Sequence, residues 1–496
     1  MASVSALDSV EPFDVCIIGS GFGGSVLGKC LVERGVRTLI LESGGSLLRW
    51  LCDRRVWELA IYQTSGDTYY PSSRTRARAL GGTSNFWTGR CERFHPSDFK
   101  DNPYTPSLNP WPISYEDMEP YYEKAEETLR VRGGVLSEHS PPRKHRLPLP
   151  PRTDISSLKS LLAEAGVTVD DSPTASPSKS LRFFRVQNEI LPGFTASSHA
   201  TLVTGATVAR LIADAGRRIV GAEVRALDGT MKIARARSYV LACGGIETPR
   251  LLLLSQSGIF PRGIGNAYDR VGRCFTEHAG VNFYGKIRHR KGTMYPRHKV
   301  GRSHQFYDSF RAEGLGSVLP VFIQSWVFPH HLIRTKITDL PRDFVAWLTR
   351  IVRPTLYIGA TIEMEPCDTN RVTLAQRKKD RFGNPLANLH FDFTERDRKT
   401  LQRTRELILR IFNRLGAEDI REAELTWSRH HIGTCRMGDN PTTSVVDRNL
   451  RLHDCSNLYV CGSETFATGG AVPPVLTITA LAHRVADHLC CELQNP

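Results

Sequence analysis

The sequence predicts an α/β protein: a parallel, Rossmann-type sheet for a dinucleotide, and a second domain built on an antiparallel sheet. Three observations carry this. Residues 13–45, "FDVCIIGSGFGGSVLGKCLVERGVRTLILESGG", read as strand, glycine turn, helix, strand and acid. Near the other end, "NLYVCGSETFAT" at 457–468 reads as a further strand. Between them, "ANLHFDF" at 387–393 alternates like a strand beside a hairpin turn at Asp380–Gly383.

In the first unit, Val15 to Ile18 are apolar enough for a strand buried on both faces. Gly19-x-Gly21-x-x-Gly24 follows. Gly19 permits the tight turn, Gly21 lets the backbone approach a pyrophosphate, and Gly24 lets the next helix pack close to the sheet. The helix runs through Leu27 and Leu31 to a stop at Gly35, and its N-terminus offers free amides to phosphates. The strand "RTLILE" ends at Glu42, about 20 residues past the glycines, where a carboxylate accepts the ribose hydroxyls. The glycines alone do not choose between NAD and FAD. The extended pattern, with Gly44 after the acid, resembles that of flavoproteins.

A second glycine loop, "RARALGGTSNFWTGRCERFHPSDF", spans 76–99. Gly81 and Gly82 allow a backbone laid along a ligand. Thr83, Ser84 and Asn85 offer short donors, and Phe86 and Trp87 a flat apolar surface. With the first motif, this loop resembles the glucose–methanol–choline (GMC) oxidoreductases, closest to their pyranose-oxidase-like, sugar-oxidising branch. The resemblance implies an FAD-binding fold, with the cofactor in contact with Gly19, Gly21, Phe22, Gly24, Glu42, Ser43, Arg78, Gly81, Gly82, Thr83, Ser84, Asn85, Phe86 and Trp87. Some members of that branch tether the flavin to a histidine just before the tryptophan. Phe86 stands there in this chain and has no nucleophile, so FAD is expected to be non-covalent.

The resemblance extends along the chain. "HATLVTGATVARL" at 199–211 implies backbone near Val208 against the adenine, and "SYVLACGGIETPRLLLLSQSG" at 238–258 a turn into a helix at Gly244. "DRVGRCFTEH" at 269–278 follows, and 364–397 resembles the sheet of the substrate domain. In "SRHHIGTCRMG" at 428–438, the family spacing picks His430 as the catalytic histidine. Oxidising an alcohol removes a hydroxyl proton as the C–H leaves as hydride, and an imidazole is suited to take that proton. His431 is a second candidate for the site. Gly462 and Ser463 fall beside the ribityl chain. Pro473 and Pro474 stand where relatives place an Asn-Pro, so an expected hydrogen-bond donor is missing. His431, or a group from 319–358, is left as its replacement; the others are slow chemistry on an activated substrate, or a reaction other than alcohol oxidation.

Composition bounds the rest. A chain of 496 residues accommodates two or three domains. The net charge is +14, but the basic clusters at 74–78, 143–146, 288–291 and 377–381 are short and dispersed. A solvated basic surface is expected, without a nucleic-acid partner; anionic substrates stay open. No apolar run reaches the roughly 20 residues of a membrane span. The first residues lack a basic-then-apolar leader, so a cytoplasmic protein is expected. The 12 cysteines form no CxxC pair and no zinc spacing, so no metal is expected.

The FAD-binding domain is assigned to 1–135, 185–280 and 427–496, a Pro- and Arg-rich excursion to 136–184, and the substrate domain to 281–426. Within the last, 319–358 reads as an insertion over the active site or a subunit contact, with attachment to a membrane surface as the alternative. The expected activity is oxidation of a CH–OH group, of a sugar or glycoside, by hydride transfer to flavin N5. The alternative is a flavin-containing lyase or isomerase on the same fold. Oxygen or another electron acceptor, and a homo-oligomer, are left open.

Overall fold

The computed structural model describes residues 4–8, 11–73, 75–100, 111–178, 183–287, 299–325 and 355–494. Its nucleotide-binding half is a five-stranded parallel sheet in the spatial order Leu458–Val460, Ala236–Leu241, Phe13–Ile18, Thr38–Glu42, Ala200–Thr204. Strands from both ends of the chain meet here because Phe13–Ile18 is apolar on both faces and buried at the centre. It pairs Val15 with Thr38 on one side and with Ser238 on the other. The helix Phe22–Val32 packs on this sheet beside the C-terminal helix Val475–Gln494, which also packs against Tyr115–Thr128. An antiparallel meander, Thr207–Ala213, Ile219–Arg225 and Met231–Ala234, completes this half.

The second half is a seven-stranded sheet. Ala279–Lys286, Thr355–Ile362, Val318–Ser325 and Lys299–Arg302 lie antiparallel in that order. Residues alternate along Thr355–Ile362: Leu356, Ile358, Ala360 and Ile362 are buried in one core, while Tyr357 and Thr361 lie on the other face. The core face is covered by the helix Glu395–Arg414 through Leu401, Leu407, Ile408, Ile411 and Phe412. That helix starts where Thr394 accepts from Asp397 N and Asp397 accepts from Thr394 N, a reciprocal cap.

Two expectations change. The hairpin Arg371–Lys379 and Pro385–His390 does not join the large sheet; it forms its own three-stranded sheet with Gln63–Ser65. Alternation reports a strand but not its partner, because pairing is a long-range choice. The excursion at 136–184 is in part core. Ile155, Leu158, Leu162, Val167 and Val169 pack under the large sheet, and Asp170–Asp171 pairs with its edge strand. The surrounding prolines masked that short apolar period. Most of 319–358 lies outside the described residues.

A buried ionic cluster ties the halves together. Arg311 bonds Asp98 from the first half, and Glu363 at 2.9 Å from the second. Tyr307 OH donates to Asp98 and accepts from Ala471 N at 3.0 Å, just before the C-terminal helix. Replacing Arg311 by Met leaves two buried carboxylates facing each other without a cation. The expected loss is about 3–5 kcal/mol, read as a lowered chemical-denaturation midpoint.

Candidate active site

One cavity of about 990 Å³ opens at the carboxyl ends of the parallel strands. Its walls are the segments that follow them: Gly19–Gly23 after the first strand, Glu42–Ser43, Ala206–Ala209, Ala242–Glu247 and Cys461–Glu464. In an open α/β sheet this is where a ligand binds. Residues from the antiparallel half, Arg302 and Thr361, line the same space.

The cradle at one end is set by glycine. A Cβ on Gly24 would sit 2.0 Å from the carbonyl oxygen of Gly19, so only glycine lets the helix approach the turn. At Gly21 a Cβ would meet nothing within 4 Å: it would project into open space. Ser20 Oγ and Ser20 N donate to Glu42 Oε2 at 2.6 and 3.1 Å, and Gly44 N donates to Oε1 at 2.8 Å. The acid is thereby fixed on the cavity wall. Arg76 and Arg78 bracket Glu247 at 2.6 and 2.7 Å, and Arg250 joins at 3.1 Å. Against the cost of burial, Arg78, Arg76 and Arg250 hold the Glu247 carboxyl well below the usual range. Arg76 Nε and Nη1 and Arg78 Nε are buried with no hydrogen-bond partner among the described residues. A steric cradle, a fixed acid and orphaned guanidinium nitrogens fit a dinucleotide with a charged pyrophosphate.

The other end is a histidine cluster. His430 lines the cavity, and its Nδ1 lies 2.9 Å from Nδ1 of His278, which stands behind it. His278 Nε2 is 3.3 Å from the carbonyl oxygen of Gly469. A carbonyl only accepts, so His278 Nε2 carries the proton. Burial pulls the His278 pKa down to about 4, so the ring is neutral and its Nδ1 accepts. His430 Nδ1 must then donate. Burial, with the crowding of His278 and His431 against any added positive charge and the Arg302 cation, pushes the His430 pKa well below its ordinary value, so this ring is neutral too. Its lone pair is therefore on Nε2, which has no partner among the described residues. The tautomers follow from the hydrogen-bond network.

Glu277 anchors the backbone of both histidines. Its Oε1 accepts from His278 N and His430 N, both at 2.7 Å, and its Oε2 accepts from Tyr70 OH at 2.7 Å. Burial pushes its pKa up to about 7. Tyr70 OH also lies 3.0 Å from His431 Nε2. His431 is thus held by a tyrosine, and its backbone oxygen accepts from Ser463 Oγ at 2.8 Å.

Most expected site residues line the cavity: Gly19, Gly21, Phe22, Glu42, Ser43, Arg78, Gly82, Thr83, Phe86, Trp87, Val208, Gly244, Gly462, Ser463, Pro473 and Pro474, with His430 and His431. Gly24, Gly81, Ser84 and Asn85 are not on its wall. Asn85 Nδ2 is spent on the carbonyls of Leu80 and Gly82, Ser84 Oγ accepts from Val186 N, and Gly81 N donates to Ser20 Oγ. They shape the loop. Sequence reasoning passed over Tyr70, Glu277, His278, Arg90, Arg302 and Glu464. The adjacent acid and histidine in "FTEH" were the available signal for two of them. Glu464, buried on the wall with Oε1 bonded by Thr248, is pushed up to about 7 by burial.

Known proteins agree with this architecture. Residues 182–280 and 366–482 match the two sequence patterns of the GMC oxidoreductases. The chain is 26% identical to the fructose dehydrogenase large subunit of Gluconobacter japonicus, over 97% of this chain and 98% of that one. It is 27% identical to paromamine 6'-oxidase of Streptomyces fradiae, over 98% and 93%. A formate oxidase structure from Aspergillus oryzae RIB40, described for its FAD modification, superposes with a TM-score of 0.68 at 17% identity, over 98% of this chain and 99% of that one. Both family patterns, in order on a fold shared end to end, show that the chain belongs to the GMC oxidoreductases and is an FAD-dependent oxidoreductase.

Proposed function

We propose that the protein oxidises a CH–OH group of a sugar or glycoside, with His430 taking the hydroxyl proton. The observation that carries this is the chain Gly469–His278–His430, which leaves a lone pair on His430 Nε2 at the cavity wall. Relatives named for fructose and paromamine support the sugar class. Bound FAD supplies a two-electron acceptor for the hydride that leaves the carbinol carbon. The protein's part is to hold and move a proton. His430 Nε2 accepts it from the substrate hydroxyl, and the resulting cation donates from Nδ1 to His278. Glu277 fixes the backbone at His430, so the ring stays aimed while its charge changes. Phe22 and Trp87, with ring centroids 4.5 Å apart, supply an apolar wall that limits water.

The pH dependence follows in sign. His430 is pushed below its ordinary value, so it is already a free base at neutrality. Flavin reduction is expected to be flat with respect to His430 through neutrality and above, and to fall only well below the ordinary histidine range, where the base becomes protonated. A rate that climbs steeply between about pH 7 and 9 would contradict this assignment.

Anaerobic mixing of the holoprotein with sugars, glycosides and simple alcohols tests the reading. Bleaching of the flavin with one carbonyl formed per flavin is expected from a sugar or glycoside. Product formed with the flavin still oxidised would mean a lyase or isomerase instead.

A further inference from the structure

Two arginines at the histidine end of the cavity have no role in the chemistry described so far. Arg90 comes from the glycine-loop side, where its backbone bridges to Thr174. Arg302 comes from the antiparallel sheet, on the face shared with Asn282 and Thr361. Both line the cavity with His430. Arg302 is close enough for its charge to depress both His430 and His278. Arg90 makes no ion pair and no side-chain hydrogen bond among the described residues. Burial and the neighbouring Arg302 charge pull its guanidinium down to about 10.

Among the described residues, one carboxylate is ion-paired to these two arginines, through Arg302. Glu92 Oε1 lies 3.0 Å from Arg302 Nε, out of line for a hydrogen bond, and also accepts from Ser172 Oγ at 2.8 Å. Two cations against one acid leave an excess positive charge in a buried wall. An uncompensated buried charge is costly, and such sites persist where a ligand supplies the counter-charge. The orphaned nitrogens of Arg76 and Arg78 do not compete for this role, because they lie at the Glu247 cluster beside the dinucleotide cradle.

We propose that the substrate carries a carboxylate as well as the reacting carbinol, and that Arg90 and Arg302 clamp that carboxylate while His430 faces the hydroxyl. The substrate class is then a sugar acid. Guanidinium forks match carboxylate geometry, and two of them brought together from different segments fix both position and orientation. This rests on the carbinol-oxidation reading, so its test needs a readout independent of turnover.

That readout is anion binding to the oxidised holoprotein. Acetate is titrated while flavin absorbance and tryptophan fluorescence are followed, with chloride as control and inorganic phosphate as the second anion. Saturable acetate binding is expected, weakened at least about tenfold in Arg90→Gln and Arg302→Gln, the size of one lost charge-assisted contact. Arg90→Gln breaks no side-chain bond among the described residues and removes a costly buried charge, so its FAD content should match the parent and its thermal midpoint should be no lower, and Arg90→Lys should recover part of the affinity. The second arm compares flavin reduction by D-glucuronate, D-glucose and D-glucose 6-phosphate. A glucuronate advantage that collapses in Arg90→Gln supports the proposal. Absence of saturable acetate binding, acetate affinity unchanged in both variants, or an advantage for the phosphate alone overturns it. Acetate binding without bleaching by any carbinol would retain the anion site and refute the oxidation reading instead.

Discussion

His430→Ala is expected to slow flavin reduction by about 10²–10⁴-fold, the usual contribution of a positioned base, while FAD stays bound. The reasoning is positional and electronic. The backbone of His430 is fixed by Glu277 at 2.7 Å, and its ring by His278 at 2.9 Å. Among the described residues its Nε2 has no partner, and the residue lines the cavity. Removing the ring removes the proton acceptor, but touches none of the cradle at Gly19–Gly23 or the Arg76–Glu247–Arg78 cluster. FAD content and substrate binding should therefore survive, and the loss should appear in the limiting rate of bleaching. Stopped-flow reduction under anaerobic conditions reads it directly. A variant that bleaches at the parental rate would assign the proton to another group, and His431, also on the wall, would be the first to examine.

Gly24→Val is expected to weaken FAD binding by about 100-fold or more. Its Cβ would fall 2.0 Å from Gly19 O and 3.1 Å from the Ile17 side chain. The first of these is backbone in a tight turn and cannot give way. The helix must move off the sheet, at a cost of about 3 kcal/mol for overpacking of this kind, which is about two decades in affinity. Gly21→Ala provides the contrast. Its Cβ would meet no protein atom and its φ is −69°, so the fold should be intact. The methyl group would instead occupy cavity space, and FAD affinity should fall without a drop in the stability of the apoprotein. FAD titration of the two apoproteins, with denaturation midpoints alongside, separates the effects.

The cofactor end of this site was legible in the sequence because it is local. A strand, three glycines, a helix and an acid within 33 residues constrain each other, and the structure places Gly19, Gly21 and Glu42 on one wall. The histidine end was only half legible. His430 stood out by spacing, but its partner His278 is 152 positions away and reaches it only because Ala279–Gly280 pairs with Thr426–Trp427. Nothing local to "FTEH" says that its histidine turns toward another imidazole. The same holds for Arg90 and Arg302, whose importance is the absence of enough acid nearby, a property of packing. Ser84 and Asn85 carry a different ambiguity. Short polar residues in a glycine loop serve a ligand or the loop itself, and here the loop uses them. The hairpin at 371–390 was legible as a hairpin and not as to which sheet it joins, since strand partners are chosen by tertiary packing.

The most direct test is anaerobic flavin reduction by a sugar carrying deuterium at the reacting carbinol carbon. The C–H bond breaks as the hydroxyl proton passes to His430, so bleaching should slow several-fold against the protiated sugar. Bleaching at the same rate with either sugar, or turnover with the flavin still oxidised, would contradict hydride removal from a carbinol as the function of this site.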